Sequence, residues 1–110
     1  MLNEARLNAV FGALADPTRR AILARLAEGE ATVSELAEPF HLAQPTISKH
    51  LRVLEEAGLI EAARDAQRRP RRLVLSTLED ADQWLQPFRA QWERRLDNLA
   101  RHVQRRRRTT

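Results

Sequence analysis

The stretch QPTISKHLRVLEEAGLI, residues 44–60, has the pattern of one helix that ends at a glycine and is followed by a strand. Ile47, Leu51 and Leu54 recur at helical spacing, so they share one face and predict contact with a core. The other face is polar and carries Pro45, Thr46, Ser48, Lys49, Arg52 and Glu56. That face is either ordinary solvated surface or a surface that recognises a partner, and the rest of the chain decides between them.

The composition limits the classes of protein to which the chain can belong. With 110 residues and 43% hydrophobic content, it can form one compact domain around one modest core. The absence of cysteine excludes disulfides, thiolate metal sites and cysteine nucleophiles, and it fits a reducing compartment. No segment approaches the roughly 18 apolar residues of a membrane span, and the first residues do not resemble a secretory signal. We therefore expect a cytoplasmic protein without a membrane partner.

The positive charge is concentrated in two places. The net charge is +4, and the run Arg105 to Arg108 accounts for it, because 19 basic residues less these four leave 15 against 15 acidic ones. A second cluster consists of Arg64, Arg68, Arg69, Arg71 and Arg72. Such clusters on a neutral body predict contact with a polyanion, although a solvated arginine-rich loop has the same pattern. We expect residues 1–104 to form the domain and residues 105–110 to form a disordered basic tail.

Three helices are predicted before the quoted stretch. The first covers about residues 3–15, and the second covers about residues 17–28, with Asp16 as its N-cap and Gly29 as its end. The second helix should bury Ile22, Leu23 and Leu26. Thr32 and Glu35 have the spacing of a capping box and should open a third helix that buries Leu36 and Phe40.

A short connection then leads into the fourth helix. Pro39 limits the third helix to little more than one turn, and only residues 41–43 separate it from the helix containing residues 46–57. Two short helices joined in this way, the second being longer, form the helix-turn-helix pattern. Ala43, just before this helix, has no side-chain acceptor, so the side-chain cap of the fourth helix should be absent or come from elsewhere.

A hairpin and a long helix complete the predicted fold. Residues 59–64 and 71–76 alternate in polarity like paired strands, with residues 65–70 as the tip of the hairpin. Ser76 and Glu79 have the spacing of another capping box, which predicts a last helix from about residues 77–79 to about Gln104. The fold class is therefore mainly α with a small β-hairpin: a winged helix-turn-helix of about five helices and a two-stranded wing.

The polar face of the fourth helix suits the major groove of double-stranded DNA. Its first turns offer donors and acceptors for base edges and phosphates, and Gln44 and Lys49 are the strongest candidates for reading bases. The arginines of the hairpin would contact phosphates beside it. The candidate DNA-binding residues are Gln44, Pro45, Thr46, Ser48, Lys49, His50, Arg52, Arg68, Arg69, Arg71 and Arg72. His50 lies near the apolar side, so packing within the subunit is an alternative for it.

The run FGALADPTRRAILARLAEGEATVSELAEPFHLAQPTISKHLRVLEEAGLI, residues 11–60, resembles the winged-helix regulators of the ArsR family. The motifs ADPTRR, TVSELA, ISKHL and VLEEAGLI occur in the family's order and spacing. The resemblance implies a homodimeric transcriptional regulator, usually a repressor, that binds an inverted-repeat operator through the helix at 44–57 and the wing at 59–76. Such regulators release the operator when an effector binds, and residues 84–99 look most like a branch without metal-binding motifs.

Departures from the family pattern concern metal binding and the wing. Metal-sensing members carry a cysteine pair in the third helix or clustered Asp, His and Glu ligands in the last one. Here the last helix offers Glu93, Asp97 and His102, of which only the first two share a face. We therefore expect no metal sensing and no cofactor. The wing segment AQRRPRRLVL lacks the family's usual Gly-Arg turn and the tyrosine that follows it, which leaves the tip conformation open.

Aromatic and leucine side chains recur along the last helix, and one small subunit has too little surface to cover them. We assign part of this stripe, with residues of the first helix, to a dimer interface. The candidates are Leu7, Phe11, Trp84, Phe88, Trp92, Leu96 and Leu99. An enzyme is not expected, because Ser48 has no glycine elbow and no acid partner for His50 is visible. A winged-helix protein-interaction module and a repressor with an unrecognised metal site remain as alternatives.

Overall fold

A computed structural model of the protein describes residues 3–63 and 67–109. Five helices and a two-stranded antiparallel sheet make up these parts of the chain. In chain order they are α1 Glu4–Leu14, α2 Pro17–Leu26, α3 Val33–Ala37, α4 Gln44–Glu56, β1 Ile60–Ala62, β2 Arg71–Leu73 and α5 Leu75–Thr109. A 3₁₀ turn, Glu38–Phe40, follows α3 directly. The order and type of the elements confirm the predicted winged helix-turn-helix.

Side-chain caps begin α2 and α3 as the sequence predicts. Asp16 Oδ2 accepts a hydrogen bond from Arg19 N at 3.0 Å, and this backbone N–H is the main reason why the pKa of Asp16 lies below its ordinary value. Thr32 Oγ1 accepts from Glu35 N at 3.2 Å, while Glu35 Oε1 accepts from Thr32 N at 3.1 Å. This reciprocal capping box also lowers the pKa of Glu35, chiefly through the backbone N–H of Thr32.

The core lies where α1, α2, α3 and α4 meet the base of the sheet. Its largest fully buried side chains are Val10, Ile22, Leu36, Ile47, Leu51, Leu54 and Leu59. Leu23 and Leu26 are buried as predicted, whereas Phe40 is only half-buried. Because the chain tightens into a 3₁₀ turn around Pro39, Phe40 does not continue the apolar stripe of α3.

The wing is shorter than the sequence suggests. Its register pairs Ile60 with Leu73, Glu61 with Arg72, and Ala62 with Arg71. The paired strand ends at Leu73 because the chain enters α5 two residues later. Between them, the backbone N of Val74 donates to Leu59 O at 2.9 Å. Ala31, from the segment before α3, exchanges two backbone hydrogen bonds with Arg71 and extends the sheet by one bridge. Arg64 and the start of the predicted tip lie outside the described residues.

Helix α5 differs from its prediction at both ends. It begins at Leu75, so Ser76 already lies in the first turn and the predicted capping box with Glu79 is wrong. Thr77 instead donates through Oγ1 to Gly58 O at 2.7 Å and is buried. At the other end the helix continues to Thr109, so residues 105–109, expected to be disordered, are helical. Arginine is a good helix former, and cations near a helix C-terminus interact favourably with the helix dipole.

The length of α5 makes the molecule elongated. Its 35 residues span about 52 Å at 1.5 Å per residue. The Cα radius of gyration is 19.1 Å, against roughly 13 Å for a compact domain of this size. The second half of α5 therefore projects from the body. None of the helices within the described residues combines the length and apolar content that crossing a bilayer requires.

Candidate nucleic-acid interface

Helix α4 presents a polar surface to solvent while its apolar face is buried. Ile47 and Leu54 are fully buried and Leu51 is 2% exposed. The side chains on the opposite face are all exposed; they are Gln44, Pro45, Thr46, Ser48, Lys49 and Arg52. The two faces predicted from the sequence are confirmed, and the polar one is open to a macromolecular partner.

Helix α4 begins without a side-chain cap. Ala43 occupies the N-cap position in extended backbone, and no side chain caps the helix there, as the sequence predicts. The tight connection before it depends on His41, whose left-handed backbone (φ 52°) turns the chain from the 3₁₀ helix into α4. Gln44 Nε2 donates to Ser34 Oγ at 2.9 Å, which ties the start of α4 to α3. The side-chain oxygen of Gln44 therefore has a fixed direction from which to meet a partner.

His50 belongs to a polar cluster between α2 and α4. Its Nδ1 lies 3.5 Å from Arg19 Nη1 and 3.9 Å from Asp16 Oδ2. Arg19 also donates to the carbonyl oxygens of Ala13 at 2.8 Å and Gly12 at 3.1 Å, which joins the end of α1 to this cluster. His50 is half-buried, so the structure favours packing within the subunit over contact with DNA. No pattern in the sequence indicated that Arg19 would connect three helices.

Two of the four candidate wing arginines within the described residues are held by acidic side chains. Arg71 Nε donates to Glu55 Oε1 at 2.6 Å, and only 18% of the Arg71 side chain is exposed. Arg72 Nε donates to Glu61 Oε1 at 2.8 Å across the two strands. Arg71 therefore links the wing to the last turns of α4 rather than pointing outward as expected. The physical reason is that the antiparallel register brings β2 against the helix face that carries Glu55.

Arg68 and Arg69 occupy the other end of the hairpin. Both are exposed, and Arg69 has a left-handed backbone (φ 45°). Arg68 lines an open depression of about 390 Å³ together with Thr32, Ser34 and Glu35. These two arginines lie beyond the ion pairs of the wing, and both side chains are exposed.

A narrow cleft separates α4 from the wing. It encloses about 150 Å³ and is lined by Ser48, Leu51, Arg52, Glu55 and Arg71. Cationic and hydroxyl groups line its walls, which is the chemistry that binds a phosphate, but Glu55 neutralises part of that charge. Arg52 is thus the member of the cleft best placed to meet an anion.

A further contact, not predicted from the sequence, holds the other end of α4. Arg6 in α1 donates through Nη1 to Glu56 O at 2.9 Å. Its guanidinium lies against Gly58, where a Cβ would come within 2.9 Å of it, and Gly58 has a left-handed backbone (φ +77°). The backbone conformation is therefore what favours glycine here, whereas the flexible Arg6 side chain would have to shift to make room for a Cβ. Helix α4 is tied to its own subunit at its beginning, middle and end, which gives its exposed face a fixed orientation.

The apolar stripe of α5 is largely exposed. Trp84 packs edge-on against Phe11 with ring centroids 5.5 Å apart, and it touches Phe88 at 5.1 Å. Beyond these contacts Trp92, Leu96 and Leu99 are 65%, 48% and 58% exposed. Leu7, which we assigned to a dimer interface, is only 9% exposed. It lies on the inner face of α1, three residues before the fully buried Val10, and offers little surface to a partner.

No metal centre is apparent in the described part of the chain. Within residues 3–63 and 67–109, no three His, Asp or Glu side chains are grouped so that they could hold a metal ion. Glu93, Asp97 and His102 all lie exposed along α5.

Residues 16–62 match the family model of the bacterial regulatory proteins of the arsR family. The transcriptional repressor SdpR of Bacillus subtilis is 39% identical over 82 residues, which cover 74% of this chain and 91% of that protein. The chain belongs to the ArsR family and is a winged helix-turn-helix transcriptional regulator.

Solved structures agree with this assignment. The crystal structure of an ArsR family transcriptional regulator superposes with a TM-score of 0.71 at 43% identity, covering 80% of this chain and 97% of the other. A homodimeric winged helix-turn-helix DNA-binding domain from Mycobacterium bovis, solved in solution, gives a TM-score of 0.61 at 29% identity. That match covers 86% of this chain and 84% of the other. The residues that the family model matches include the whole of α4 and its polar face.

Proposed function

We propose that the protein is a homodimeric transcriptional repressor that binds an inverted-repeat operator through α4 and the wing. The observation that carries this proposal is the exposed polar face of α4, fixed at both ends and flanked by a cationic wing. Two similar proteins support it: the Bacillus subtilis relative is a transcriptional repressor, and the Mycobacterium bovis DNA-binding domain is a homodimer.

The candidate contacts divide into two groups. Thr46, Ser48 and Lys49 lie on the open face of α4, where short polar side chains and one cation can reach base edges in a major groove. Arg68 and Arg69 can reach phosphates from the tip of the wing, because neither takes part in the ion pairs described above. Arg71 and Arg72 contribute chiefly by holding the wing in place.

The proposed dimer uses the stripe of α5 together with Phe11 of α1. Trp84 and Phe88 extend the ring of Phe11 into a continuous aromatic surface, and the exposed leucines continue it along the projecting half of the helix. Two-fold symmetry would present two α4 helices to one side of a DNA duplex.

We also propose that the repressor does not sense metal and that it acts in the cytoplasm. Its three histidines lie in different surroundings: His41 in the turn before α4, His50 against Arg19, and His102 on α5. Addition of zinc or arsenite to the complex with operator should leave its affinity unchanged. Release of the DNA by zinc or by arsenite would show that the protein has a binding site for that ion, contrary to the proposal.

The experiment that tests the function is selection of bound sequences from a random duplex pool, followed by affinity measurements. We expect an inverted repeat whose half-sites lie about 10 bp, one helical turn, apart. A duplex with one half-site scrambled should bind much more weakly. Failure to enrich any sequence, with the protein folded, would favour the protein-interaction module instead.

A further inference from the structure

The ring of His50 joins the middle of α4 to the neighbouring helices. His50 lies three residues after Ile47 and four before Leu54, both of which are 0% exposed, and only 21% of its own side chain is exposed. The charged groups that the structure places beside the ring are Asp16 and Arg19, at the start of α2. His50 is thus a titratable group between an anion and a cation, in the middle of the proposed DNA-reading helix.

The guanidinium group of Arg19 is held in place by α1. Its Nε donates to Ala13 O at 2.8 Å, and its Nη2 donates to Gly12 O at 3.1 Å. The remaining nitrogen, Nη1, lies 3.5 Å from Nδ1 of His50. Because two carbonyl oxygens at the end of α1 fix the group, Arg19 presents Nη1 to α4 from a constant direction.

The protonation state of His50 decides which of its two charged neighbours it contacts. A guanidinium can only donate hydrogen bonds, so a neutral ring that contacts Arg19 has a bare Nδ1 and carries its proton on Nε2. When the ring gains a second proton, Nδ1 becomes a donor and the cation of Arg19 repels it. An acceptor for that proton is Asp16 Oδ2, 3.9 Å away.

Asp16 keeps its negative charge throughout the range in which histidine titrates. An ordinary aspartate carboxyl titrates near about pH 4, and the backbone N–H of Arg19 holds the pKa of Asp16 below its ordinary value. The anion is therefore present at every pH at which His50 changes its charge. Histidine ordinarily makes that change between roughly pH 5 and pH 8.

We propose that Arg19 is a positioning residue for DNA reading, which fixes the middle of α4 through neutral His50, and that protonation of His50 exchanges this contact for one with Asp16. The inference rests on the proposed function and adds a proton-dependent control to it. Because Ile47 and Leu54 hold α4 in the core, the exchange shifts the polar face and does not unfold the helix. Base contacts carry the sequence preference, so discrimination falls in acid while attraction to phosphates remains.

The measurement that tests this is the ratio of operator affinity to scrambled-sequence affinity at constant salt. From about pH 8 to about pH 5.5 the ratio should fall about fivefold in the unmodified protein. His50→Asn keeps a hydrogen-bonding side chain but has no proton to gain, so its ratio should be independent of pH. The other two histidines provide the controls: His41→Asn and His102→Asn should both retain the pH dependence.

Arg19→Ala tests the positioning role, and Arg20→Ala is its matched control. Arg20 Nη1 donates to Leu14 O at 2.7 Å, so both arginines join α2 to the end of α1, whereas Arg19 also reaches His50. At about pH 8 Arg19→Ala should show the low ratio that the unmodified protein has in acid, and Arg20→Ala should keep the high one. Arg19→Lys retains the charge without the fork of donors and should recover the ratio only in part. Equal losses in both alanine variants would overturn the inference.

A measurement on the unmodified protein without DNA keeps the inference separate from the proposed function. Nitrogen NMR of the His50 ring distinguishes its two neutral tautomers, and at about pH 8 the proton should be on Nε2. A proton on Nδ1, donated to Asp16, would overturn the inference. So would an operator preference that does not change with pH, or that changes equally in His50→Asn. Failure to enrich any operator at about pH 8 would remove the proposed function and this inference together.

Discussion

Helices α4 and α5 are both amphipathic, but they expose opposite faces. In α4 the apolar face is buried in the core and the polar face is free; Leu54 is 0% exposed, whereas Lys49 is exposed. In the second half of α5 the apolar face itself is free, and Trp92 is 65% exposed. The solvent-exposed face of a helix indicates the chemistry of its partner: a polar polyanion for α4 and an apolar surface for α5.

The two helices also differ in how they are held. Three side chains from other parts of the subunit contact α4: Ser34 at its beginning, Arg19 in its middle through His50, and Arg6 at its end. The exposed surface of α4 is therefore fixed before any partner binds. In the projecting part of α5, the apolar side chains Trp92, Leu96 and Leu99 are largely exposed. A preorganised surface suits sequence discrimination, whereas an exposed apolar stripe gains most of its stabilisation when it associates.

The largest expected effect comes from a substitution in the apolar stripe of α5. Trp92→Ala removes the most exposed aromatic ring of the stripe, and an interface residue of this kind is worth about 2 kcal/mol or more, so dimer affinity should fall at least about 30-fold. DNA affinity should fall with it, because two half-sites are no longer bound together. Sedimentation and operator titration measure the two effects.

Leu75→Ala is the matched control, since Leu75 is 59% exposed on the same helix but lies off the stripe. It should change neither quantity. A Trp92→Ala protein that dimerises normally but unfolds at lower temperature would show that the ring stabilises the subunit itself.

On α4 the expected effect is smaller and depends on sequence. Lys49→Ala should lower operator affinity roughly tenfold to a hundredfold and relax the preference at one base position, if the ammonium group meets a base. Binding to a panel of operators with single-base changes measures this. Arg94→Ala removes one positive charge far from α4 and should leave the preference intact. An equal loss on every operator would reassign Lys49 to a phosphate.

The smallest expected effect separates the two kinds of arginine in the wing. Arg68→Ala should lower the slope of log affinity against log salt by about 0.9, the loss of one phosphate contact. Arg71→Ala should leave that slope unchanged, because its guanidinium is bonded to Glu55 at 2.6 Å, and it should lower affinity only by loosening the wing. Glu55→Ala should reproduce the Arg71→Ala affinity. A lower slope for Arg71→Ala would return that residue to the DNA contacts.

Local patterns in the sequence were sufficient for most of the architecture. The capping box of Thr32 and Glu35, the N-cap at Asp16 and the apolar spacing of α4 all depend on residues a few positions apart, so the chain itself specifies them. The same holds for the stripe of α5. The start of α5 was less predictable. Ser76 has the spacing of a cap, but strand β2 runs almost directly into the helix, which already begins at Leu75.

Helix periodicity and capping act within a few residues, so the winged helix-turn-helix, the two faces of α4 and the unfilled cap at Ala43 follow from the sequence alone. Three contacts depend instead on the packing of distant segments: Arg71 meets Glu55, His50 packs beside Arg19, and Arg6 holds the end of α4. Those side chains are 16, 31 and 50 residues apart. An ion pair or hydrogen bond at such separations depends on which elements the packing of the core brings together, and an arginine carries no local signal of the acid or carbonyl group it will find.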